Sequence, residues 1–405
     1  MLSASVVSLV ASTIVAAPPQ VTFLPAGSAA YSVSDDGTVV VGTAGSAGFR
    51  WTLSGGYAAL PGPAAGSGTL VAVSGDGTQI TADVLDANNK QHASRWLGGS
   101  SWEFLPAFVS CDAFLLNAYD INTAGDVIVG LAWITGCQAH AFRWDPQAGT
   151  KDLGTLVANK SSRANAVNGS SSLIVGWQDQ ANGQRRGARW VQNGSTYVES
   201  LMPNYVAPNG TNYSLGEALG VSRSGDTVVG YNVFGLAGPA WKYDGVANTV
   251  STLPQLSGFG SQAALANGVT DDGTVVVGTT GGIPIGRKAI IWINGVAQDL
   301  KTYIESQGGS IAPYNSLGTA MAITPNGRTI VGWGAGAGQP AGWIVTFPPP
   351  PCPADLNGDG QVGAEDLALL LGAWGGTGPA DLTGDGAVGA DDLGVLLGAW
   401  GACPS

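Results

Sequence analysis

The chain has 405 residues, of which only 11% are charged and 63 are glycine, and its formal net charge at pH 7 is −12. Its length allows several domains or one large repeat fold, and its glycine content favours an all-β protein with many tight turns. From Ala354 onward there are eight acidic residues and no Lys or Arg. Such a tail suits a divalent cation, and the lack of a basic stripe argues against nucleic-acid binding.

The N-terminus has the features of an export signal. Small and apolar residues run from Leu2 to Ala17 without a charge, and Val15-Ala16-Ala17 precedes Pro18. We therefore predict a signal peptide at residues 1–17. No other stretch approaches the roughly 20 apolar residues that a membrane span requires. We expect a secreted protein, extracellular or at the cell surface, with no membrane span.

One pattern recurs seven times along the body: A-x-x-V-S-x-D-G-x-V-V-V-G, a variable stretch, A-F-R-W and then x-x-L-P. Its tryptophans are 45, 48, 46, 51, 51 and 51 residues apart, at Trp51, Trp96, Trp144, Trp190, Trp241, Trp292 and Trp343. Each copy holds four strand-like runs, with a D-G or N-G hairpin signal between the first two in most copies. Seven copies of four strands predict an all-β fold, a seven-bladed β-propeller over residues 18–347.

The two ends of the body complement each other. The seventh copy ends with IVTF after Trp343 and lacks its x-x-L-P strand, whereas a spare one, QVTFLP, stands at residues 20–25. We predict that this N-terminal strand completes the seventh blade and closes the ring.

The third copy contains His140-Ala141-Phe142 before Arg143-Trp144, and DLGTL follows. These residues resemble the HAF family of bacterial extracellular repeats, and the resemblance covers residues 20–347. The resemblance implies a secreted propeller, but it implies no particular activity, because the members of the family share none. His92 occupies the same slot in the second copy, so we interpret both histidines as structural.

Four cysteines in an exported chain predict two disulfides. Cys111 and Cys137 fall within the third copy, and Cys352 and Cys403 bracket the tail. We expect these two pairs.

Catalysis has little support in the body. Glycoside hydrolysis needs two carboxylates about 5–10 Å apart, and many of the acids recur because the hairpin turn recurs. Asp179 and Glu217 lie in longer connections that could reach the mouth of the ring, but nothing in the sequence pairs them. We lean towards a non-enzyme; the enzymatic alternative is a glycoside hydrolase acting on polysaccharide.

A binding role rests on the variable loops, which open on one face of the predicted ring. Trp177, Tyr231 and Trp333 follow the glycine of their repeats and start such loops, so their rings could stack on sugars. The alternative is that these aromatic side chains pack between blades.

Four prolines open a linker, residues 348–353, and two acidic segments follow it: DLNGDGQVGAEDLALLLGAWG and, 26 residues later, DLTGDGAVGADDLGVLLGAWG. Each predicts a twelve-residue calcium loop followed by a helix, with ligands at positions 1, 3, 5, 7, 9 and 12 and Gly at 6. The predicted first site takes Asp355, Asn357, Asp359, the Gln361 carbonyl, a water near Gly363, and Asp366. The predicted second site takes Asp381, Thr383, Asp385, the Ala387 carbonyl, a water near Gly389, and Asp392.

Asp at position 12 and the loop–helix form resemble type I dockerins, the modules that attach polysaccharide-degrading enzymes to cohesin-bearing scaffolds. The resemblance covers residues 354–402 of a domain placed at 354–405. It implies two Ca²⁺ ions and a cohesin-like or cell-surface partner. Thr383 stands where Asp or Asn is usual, so we predict a weaker second site. The helices lack the basic residues that dockerin recognition helices usually carry.

Three hypotheses follow for the whole chain. The first is a non-catalytic secreted binding or attachment protein, with polysaccharide as a candidate ligand of the propeller and a calcium-folded docking tail. The second is a carbohydrate-active enzyme with the propeller as its catalytic domain. The third is a purely structural surface or matrix protein. Clustered carboxylates on the loop-rich face would favour the second, an aromatic patch the first, and a face with neither the third.

Overall fold

A computed structural model of the chain describes residues 17–62, 71–108, 116–236, 238–259, 263–282, 286–336, 341–349 and 351–403. Strands dominate these residues, which confirms the predicted all-β class. No helix in the described ranges is long and apolar enough to cross a membrane. Pro19–Thr346 form one compact unit, and the residues from Phe347 onward belong to another. The predicted signal peptide lies outside the described residues except for Ala17.

In the first six copies, four antiparallel strands pair in chain order, and those of the fifth and sixth copies are joined into one eight-stranded sheet. The first copy contributes Ser28–Val33, Val39–Ala44, Ala47–Thr52 and Gly56–Ala59. The second contributes Ala72–Val73, Ile80–Leu85, Gln91–Trp96 and Glu103–Phe104. The third contributes Leu116–Ile121, Ile128–Ile134, Gln138–Asp145 and Gly149–Gly154. The fourth contributes Ser162–Val167, Leu173–Asp179, Arg185–Asn193 and Thr196–Leu201.

The later copies follow the same order, with a difference at the end. The fifth contributes Ala218–Val221, Thr227–Tyr231, Ala240–Asp244 and Thr249–Leu253. The sixth contributes Ala264–Val269, Val275–Gly282, Gly286–Ile293 and Val296–Asp299. The seventh contributes Thr319–Ile323, Thr329–Ala335 and Ala341–Thr346, and its fourth strand is the N-terminal Gln20–Ala26. Two smaller elements are a hairpin of Tyr205–Val206 with Asn212–Tyr213 and a helix, Leu300–Ser306.

The first strands of the copies surround a central channel. Each first strand contacts the first strand of the next copy, and the seventh contacts the first, so the contacts form a closed cycle. Residues from all seven first strands line one cavity of about 250 Å³. A closed cycle of four-stranded antiparallel sheets around a channel is a β-propeller arrangement.

Two residues of the repeat explain its close packing, one within each sheet and one in the core. A glycine in the second strand lies over the carbonyl of the first: a Cβ at Gly176 would stand 1.9 Å from the Arg163 oxygen, and one at Gly130 would stand 1.9 Å from the Asn117 oxygen. The tryptophan that ends the A-F-R-W element is fully buried in copies four to seven. The glycines and tryptophans that recur in the sequence are therefore packing positions.

The D-G turns recur for a local reason. In the first copy, Asp36 accepts hydrogen bonds from the Ser34 hydroxyl, at 2.6 Å, and from the Thr38 amide, at 2.9 Å. Burial alone would raise the pKa of Asp36, but these hydrogen bonds outweigh it and the pKa is lowered. Asp76 and Asp272 have the same partners in their own turns. These carboxylates hold the turn, as Asp does in many tight turns.

The histidine slot of the repeat is also structural. His140 Nδ1 lies 2.9 Å from Asp152 Oδ1, which joins the third strand to the fourth, and Lys288 pairs with Asp299 at 2.8 Å in the equivalent slots of the sixth copy. His92 instead stacks on Phe104, with ring centroids 4.4 Å apart.

The tail is built from two similar halves. Helices Ala364–Gly372 and Ala390–Gly398 follow the two loops, and a short strand pair joins Gln361–Val362 to Gly401–Ala402. The small core repeats at an interval of 26 residues: it consists of Ala354, Val362, Leu370, Ala380, Val388 and Leu396. The predicted disulfide Cys352–Cys403 is confirmed, with 5.8 Å between the Cα atoms. Cys137 is also disulfide-bonded, and its predicted partner Cys111 lies outside the described residues.

Candidate functional site

The two loops of the tail share one hydrogen-bond geometry around their first aspartate. Asp355 Oδ1 accepts from the amides of Gly358, at 2.8 Å, and Asp359, at 3.1 Å, while Oδ2 accepts from Gly360, at 2.9 Å. Asp381 has the equivalent three bonds in the second loop, at 2.8, 3.2 and 2.9 Å. The backbone therefore curls around each carboxylate in the same way, which requires the positive φ of the loop glycines.

The last aspartate of each loop ties the helix to the loop. Asp366 is 1% exposed, and it accepts from the amides of Leu356 and Gly363, both at 2.7 Å. Asp392 accepts from Thr383, at 2.9 Å, and Gly389, at 2.7 Å. These backbone hydrogen bonds lower the pKa of both carboxyls, so both are ionised at neutral pH.

The predicted ligands fit a hard divalent cation. Each loop offers only oxygen: three carboxylates, one amide or hydroxyl oxygen, and one backbone carbonyl, which is the donor chemistry that calcium prefers. Among the predicted side-chain ligands, the two loops differ at one position, Asn357 in the first and Thr383 in the second. Asn357 Nδ2 donates to Asp359 and Glu365, each at 3.0 Å, whereas Thr383 Oγ1 donates to Asp392 at 3.0 Å.

A different group of metal-type ligands lies beside the first loop. Asp355, Cys352 and Cys403 have ligand atoms within 4.8 Å of one another. The two sulfurs are bonded to each other, so they provide no thiolate for a soft metal. The disulfide instead packs against Asp355, whose Oδ2 lies 3.6 Å from Cys403 Sγ.

A second candidate site lies on one face of the propeller. Because neighbouring strands are antiparallel, the start of the first strand, the end of the second and the start of the third meet at the same edge of each sheet. We call the face made by these edges the loop-rich face. In the fourth copy, register pairs place Arg163 beside Trp177 and Asp179 beside Arg185 at this edge. Glu217 directly precedes the first strand of the fifth copy.

Glu217 is the centre of this site. Its side chain is 5% exposed, and each carboxylate oxygen accepts from a different arginine: Oε1 from Arg185 at 2.8 Å and Oε2 from Arg163 at 3.0 Å. Tyr231, in the second strand of the fifth copy, lies beside Glu217, and its backbone amide donates to the Glu217 carbonyl at 3.1 Å. Burial raises the pKa of Tyr231, and the negative charge of Glu217 raises it further. The phenol therefore stays neutral at neutral pH.

Aromatic rings fix the planes of the two arginines. The Arg185 guanidinium lies 4.0 Å from the Trp177 ring centroid, and that of Arg163 lies 4.9 Å from Tyr119. Asp179 completes the group, with an oxygen 3.8 Å from Arg185 Nε. Burial raises the pKa of Asp179 in spite of its neighbouring cations. The group formed by Arg163, Trp177, Asp179, Arg185, Glu217 and Tyr231 is called the Glu217 cluster below.

The candidate ligand-binding aromatics have different surroundings. Trp177 is 3% exposed and lies beneath Arg185, so a ligand would meet the guanidinium before the ring. Tyr231 is half-buried beside Glu217. Trp333 belongs to the seventh copy and is also half-buried, with Arg287 5.6 Å above its ring. The structure thus gathers Trp177 and Tyr231 around Glu217 and leaves Trp333 elsewhere; stacking of any of them on a sugar stays a prediction.

The sequence interpretation missed the two arginines. Asp179 and Glu217 were both expected in longer connections; the structure places Asp179 at the end of a strand, whereas Glu217 does lie in a connection, directly before Ala218–Val221. An alignment of the repeat copies contains a signal for this site, because the position before the repeat alanine holds Arg163 in the fourth copy and Glu217 in the fifth.

The opposite end of the channel has its own ion pair. Arg223 Nε donates to Asp35 Oδ1 at 2.6 Å, and the Thr123 hydroxyl donates to Oδ2 at 3.1 Å. Arg223 follows the first strand of the fifth copy, and Asp35 follows the first strand of the first copy. Their ion pair therefore links two sheets across the channel. Asp120 lines the cavity nearby, and burial raises the pKa of its carboxyl.

Comparisons with known proteins concern the fold alone. No family model matches the chain, and no curated protein matches it. Among solved structures, the chain is similar to the β-propeller domain of the Trilobed protease from Pyrococcus furiosus, with 13% identity, a TM-score of 0.49, and 78% of this chain and 95% of that one covered. It is also similar to an oligogalacturonate lyase in complex with manganese, with 12% identity, a TM-score of 0.48, and 82% and 97% covered. TolB from Acinetobacter baumannii matches with 13% identity, a TM-score of 0.41, and 58% and 54% covered.

Proposed function

We propose that the chain is a secreted calcium-binding protein. A seven-bladed β-propeller of the HAF-repeat type, closed by its N-terminal strand, serves as a non-catalytic binding module. A dockerin-like tail attaches this module to a cohesin-like or cell-surface protein.

The observation that carries the proposal is the shared geometry of the two tail loops. Asp355 and Asp381 each accept three backbone amides at matching distances, although the two residues are 26 positions apart. Ionised carboxylates held in one loop repel one another unless a cation lies between them. Two such loops with equivalent oxygen donors support two Ca²⁺ sites, with the first loop the stronger one.

The tail helices support the attachment role. Each helix leaves apolar side chains exposed at equivalent positions: Leu369, Leu371 and Trp374 after the first loop, and Val395, Leu397 and Trp400 after the second. The two tryptophans are 48% and 50% exposed. Exposed apolar groups of this size are typical of protein interfaces, and here they replace the basic residues that dockerin helices usually carry.

The propeller's binding role is supported by the Glu217 cluster on the loop-rich face. Its polar groups are held in fixed positions by one another and by aromatic rings, as in a preorganised recognition site. The same contacts disfavour the hydrolase alternative. Both oxygens of Glu217 already accept from guanidinium groups, so neither is free to attack a sugar carbon or to activate water.

The test is retention of the full chain, in calcium, on an array of soluble and insoluble polysaccharides. Retention on a defined glycan, with no reducing ends released from it, is the expected result. Release of reducing ends would establish the hydrolase instead. If no glycan retained the chain, the binding role of the propeller would be refuted, while the calcium tail would stand on its own test.

A further inference from the structure

Cationic side chains concentrate at the Glu217 cluster, although the chain as a whole is acidic. Arg163 and Arg185 contact Glu217, and Lys160 acts on Asp179. Three cations thus lie near two carboxylates, Glu217 and Asp179, in a chain whose net charge is −12. The local surplus is positive, which attracts an anion to this part of the loop-rich face.

Arg185 has the geometry of a ligand-binding arginine. One Nη atom donates to Glu217, and the guanidinium plane lies against Trp177. Its side chain is nevertheless 50% exposed. Its Nε lies 3.8 Å from an Asp179 oxygen. A guanidinium has five N–H donors, so the Nη edge that faces away from both Glu217 and Asp179 keeps donors for a second partner. Because Trp177 and Glu217 already fix the side chain, little conformational entropy is lost when that partner binds.

Arg163 extends the site into the channel. Its Nε donates to Asn165 at 2.7 Å, and both residues line the central cavity. Tyr119, beneath the Arg163 guanidinium, also lines it. Hydroxyl, amide and guanidinium groups therefore form a continuous polar surface from the exposed Arg185 to the channel. A ligand that carries both hydroxyl groups and a negative charge is complementary to this surface.

We propose that the Glu217 cluster recognises a carboxylated sugar, that is, a uronic acid unit of an acidic polysaccharide. The outer edge of Arg185 donates to the sugar carboxylate in a two-bond fork, and Glu217 is a positioning residue that orients both arginines. This inference rests on the proposed binding role of the propeller and adds the chemical class of its ligand.

The test is calorimetric titration of the full chain with trigalacturonate and, as a matched neutral probe, with its fully methyl-esterified form. Trisaccharides are used so that calcium does not gel the ligand. The acid should bind at least tenfold more tightly than the ester, and its affinity should fall as salt is added, because the contact is ionic.

Variants locate the site. Arg185→Gln should weaken binding of the acid at least tenfold. Arg185→Lys keeps the charge, and with it the pairing to Glu217, but loses the fork, and should weaken binding about fivefold. Arg95→Gln is the matched control, since Arg95 also pairs with a glutamate, Glu103, and lies over a tryptophan, Trp144, in a different copy. It should change affinity less than twofold.

Several outcomes would overturn the inference. Equal binding of acid and ester, or unchanged affinity in both Arg185 variants, would do so. If the polysaccharide array retains the chain on neutral glycans only, the ligand class is wrong and the binding role survives. If no glycan on the array retains the chain, the binding role of the propeller and its ligand class are both refuted, while the calcium tail keeps its own test.

Discussion

The propeller and the tail are both built from sequence repeats, yet repetition has a different meaning in each. In the tail, the residues that recur are the ones proposed to do the chemistry: Asp355 and Asp381, or Asp366 and Asp392. In the propeller, the residues that recur are structural, such as Gly176 under the carbonyl of Arg163. The distinctive site of the propeller consists of residues that break the pattern. A repeated residue is thus a guide to function only where the repeat unit is itself a binding unit.

The two regions also differ in what stabilises them. The propeller buries large apolar side chains in every copy, with Trp190, Trp241, Trp292 and Trp343 fully buried. The tail has a small core of alanine, valine and leucine, closed by one disulfide. A core of that size is marginal on its own, so a bound cation should matter greatly to the tail and little to the propeller.

Removal of calcium should produce the largest difference in stability between the two regions. At free calcium a thousandfold above Kd, binding stabilises the tail by about 4 kcal/mol. In a small domain this corresponds to a shift of more than about 10 °C in the tail's transition. Calorimetry of the full chain with and without a chelator should show that shift, while the propeller's transition moves by less than about 2 °C. A tail transition insensitive to the chelator would refute the calcium-dependent fold.

A glycine substitution should have opposite effects in the two regions. Gly176→Ala places a Cβ 1.9 Å from a carbonyl oxygen, so we expect a loss of about 3 kcal/mol or more in the propeller. Gly394 lies in a tail helix with nothing within 4 Å of its Cβ position. Gly394→Ala should therefore stabilise the tail by about 0.5–1 kcal/mol through helix propensity. Denaturant unfolding of each variant measures both effects, and a tolerated Gly176→Ala would contradict the packing role of the repeat glycine.

The asymmetry proposed between the two tail loops can be tested by one exchange. Thr383→Asn restores the residue found at the equivalent position of the first loop and should tighten the second site about tenfold. Thr377→Asn, outside the loops, is the matched control and should leave both affinities unchanged. Calorimetric titration with Ca²⁺ measures the result. Two equally tight sites in the unaltered chain would show that Thr383 is not a weak ligand.

The smallest effect concerns pH and the propeller alone. Burial raises the pKa of Glu199 from 4.5 to about 8. The folded state therefore binds the proton more tightly than the unfolded chain does, and stability is lost as pH rises from 4.5 towards 8. Glu199→Gln does not titrate, so its stability relative to the unaltered chain should rise by about 1 kcal/mol from pH 6 to pH 9. This is less than the full shift implies, because the side chain is partly exposed to solvent.

A control for that prediction is Glu305→Gln. Glu305 is an exposed helical carboxylate paired with Lys301, so its removal should have an effect that does not change between the two pH values. Unfolding of the propeller by denaturant at pH 6 and at pH 9 gives the comparison. Parallel behaviour of the two variants would show that Glu199 titrates normally.

Much of the fold follows from local patterns in the sequence. The repeat predicted the strand runs, the hairpin turns and the spare N-terminal strand that pairs with Ala341–Thr346. The twelve-residue loops predicted their own helices, and the spacing of Cys352 and Cys403 predicted the disulfide. The turns and loops depend on residues close in sequence, and the strand order depends on the fixed period of the repeat, so a pattern was enough. The disulfide joins residues 51 positions apart, and its prediction came from their places at the two ends of the tail.

The Glu217 cluster depends on contacts that no local pattern shows. Arg185 and Glu217 are 32 residues apart and belong to different copies, so only the packing of one sheet on the next brings them together. Trp177 starts a variable loop, so the sequence left both stacking on a sugar and packing between blades open. The structure buries it, with the guanidinium of Arg185 from the adjacent strand over its ring.

Calcium titration of the full chain tests the central claim most directly, that repeated residues in the tail form binding sites. The account predicts two Ca²⁺ ions per chain, the second bound more weakly, and one ion fewer when Asp355→Ala removes the first ligand of the first loop. An absence of binding heat at millimolar calcium, or two ions still bound by a variant carrying both Asp355→Ala and Asp381→Ala, would contradict it.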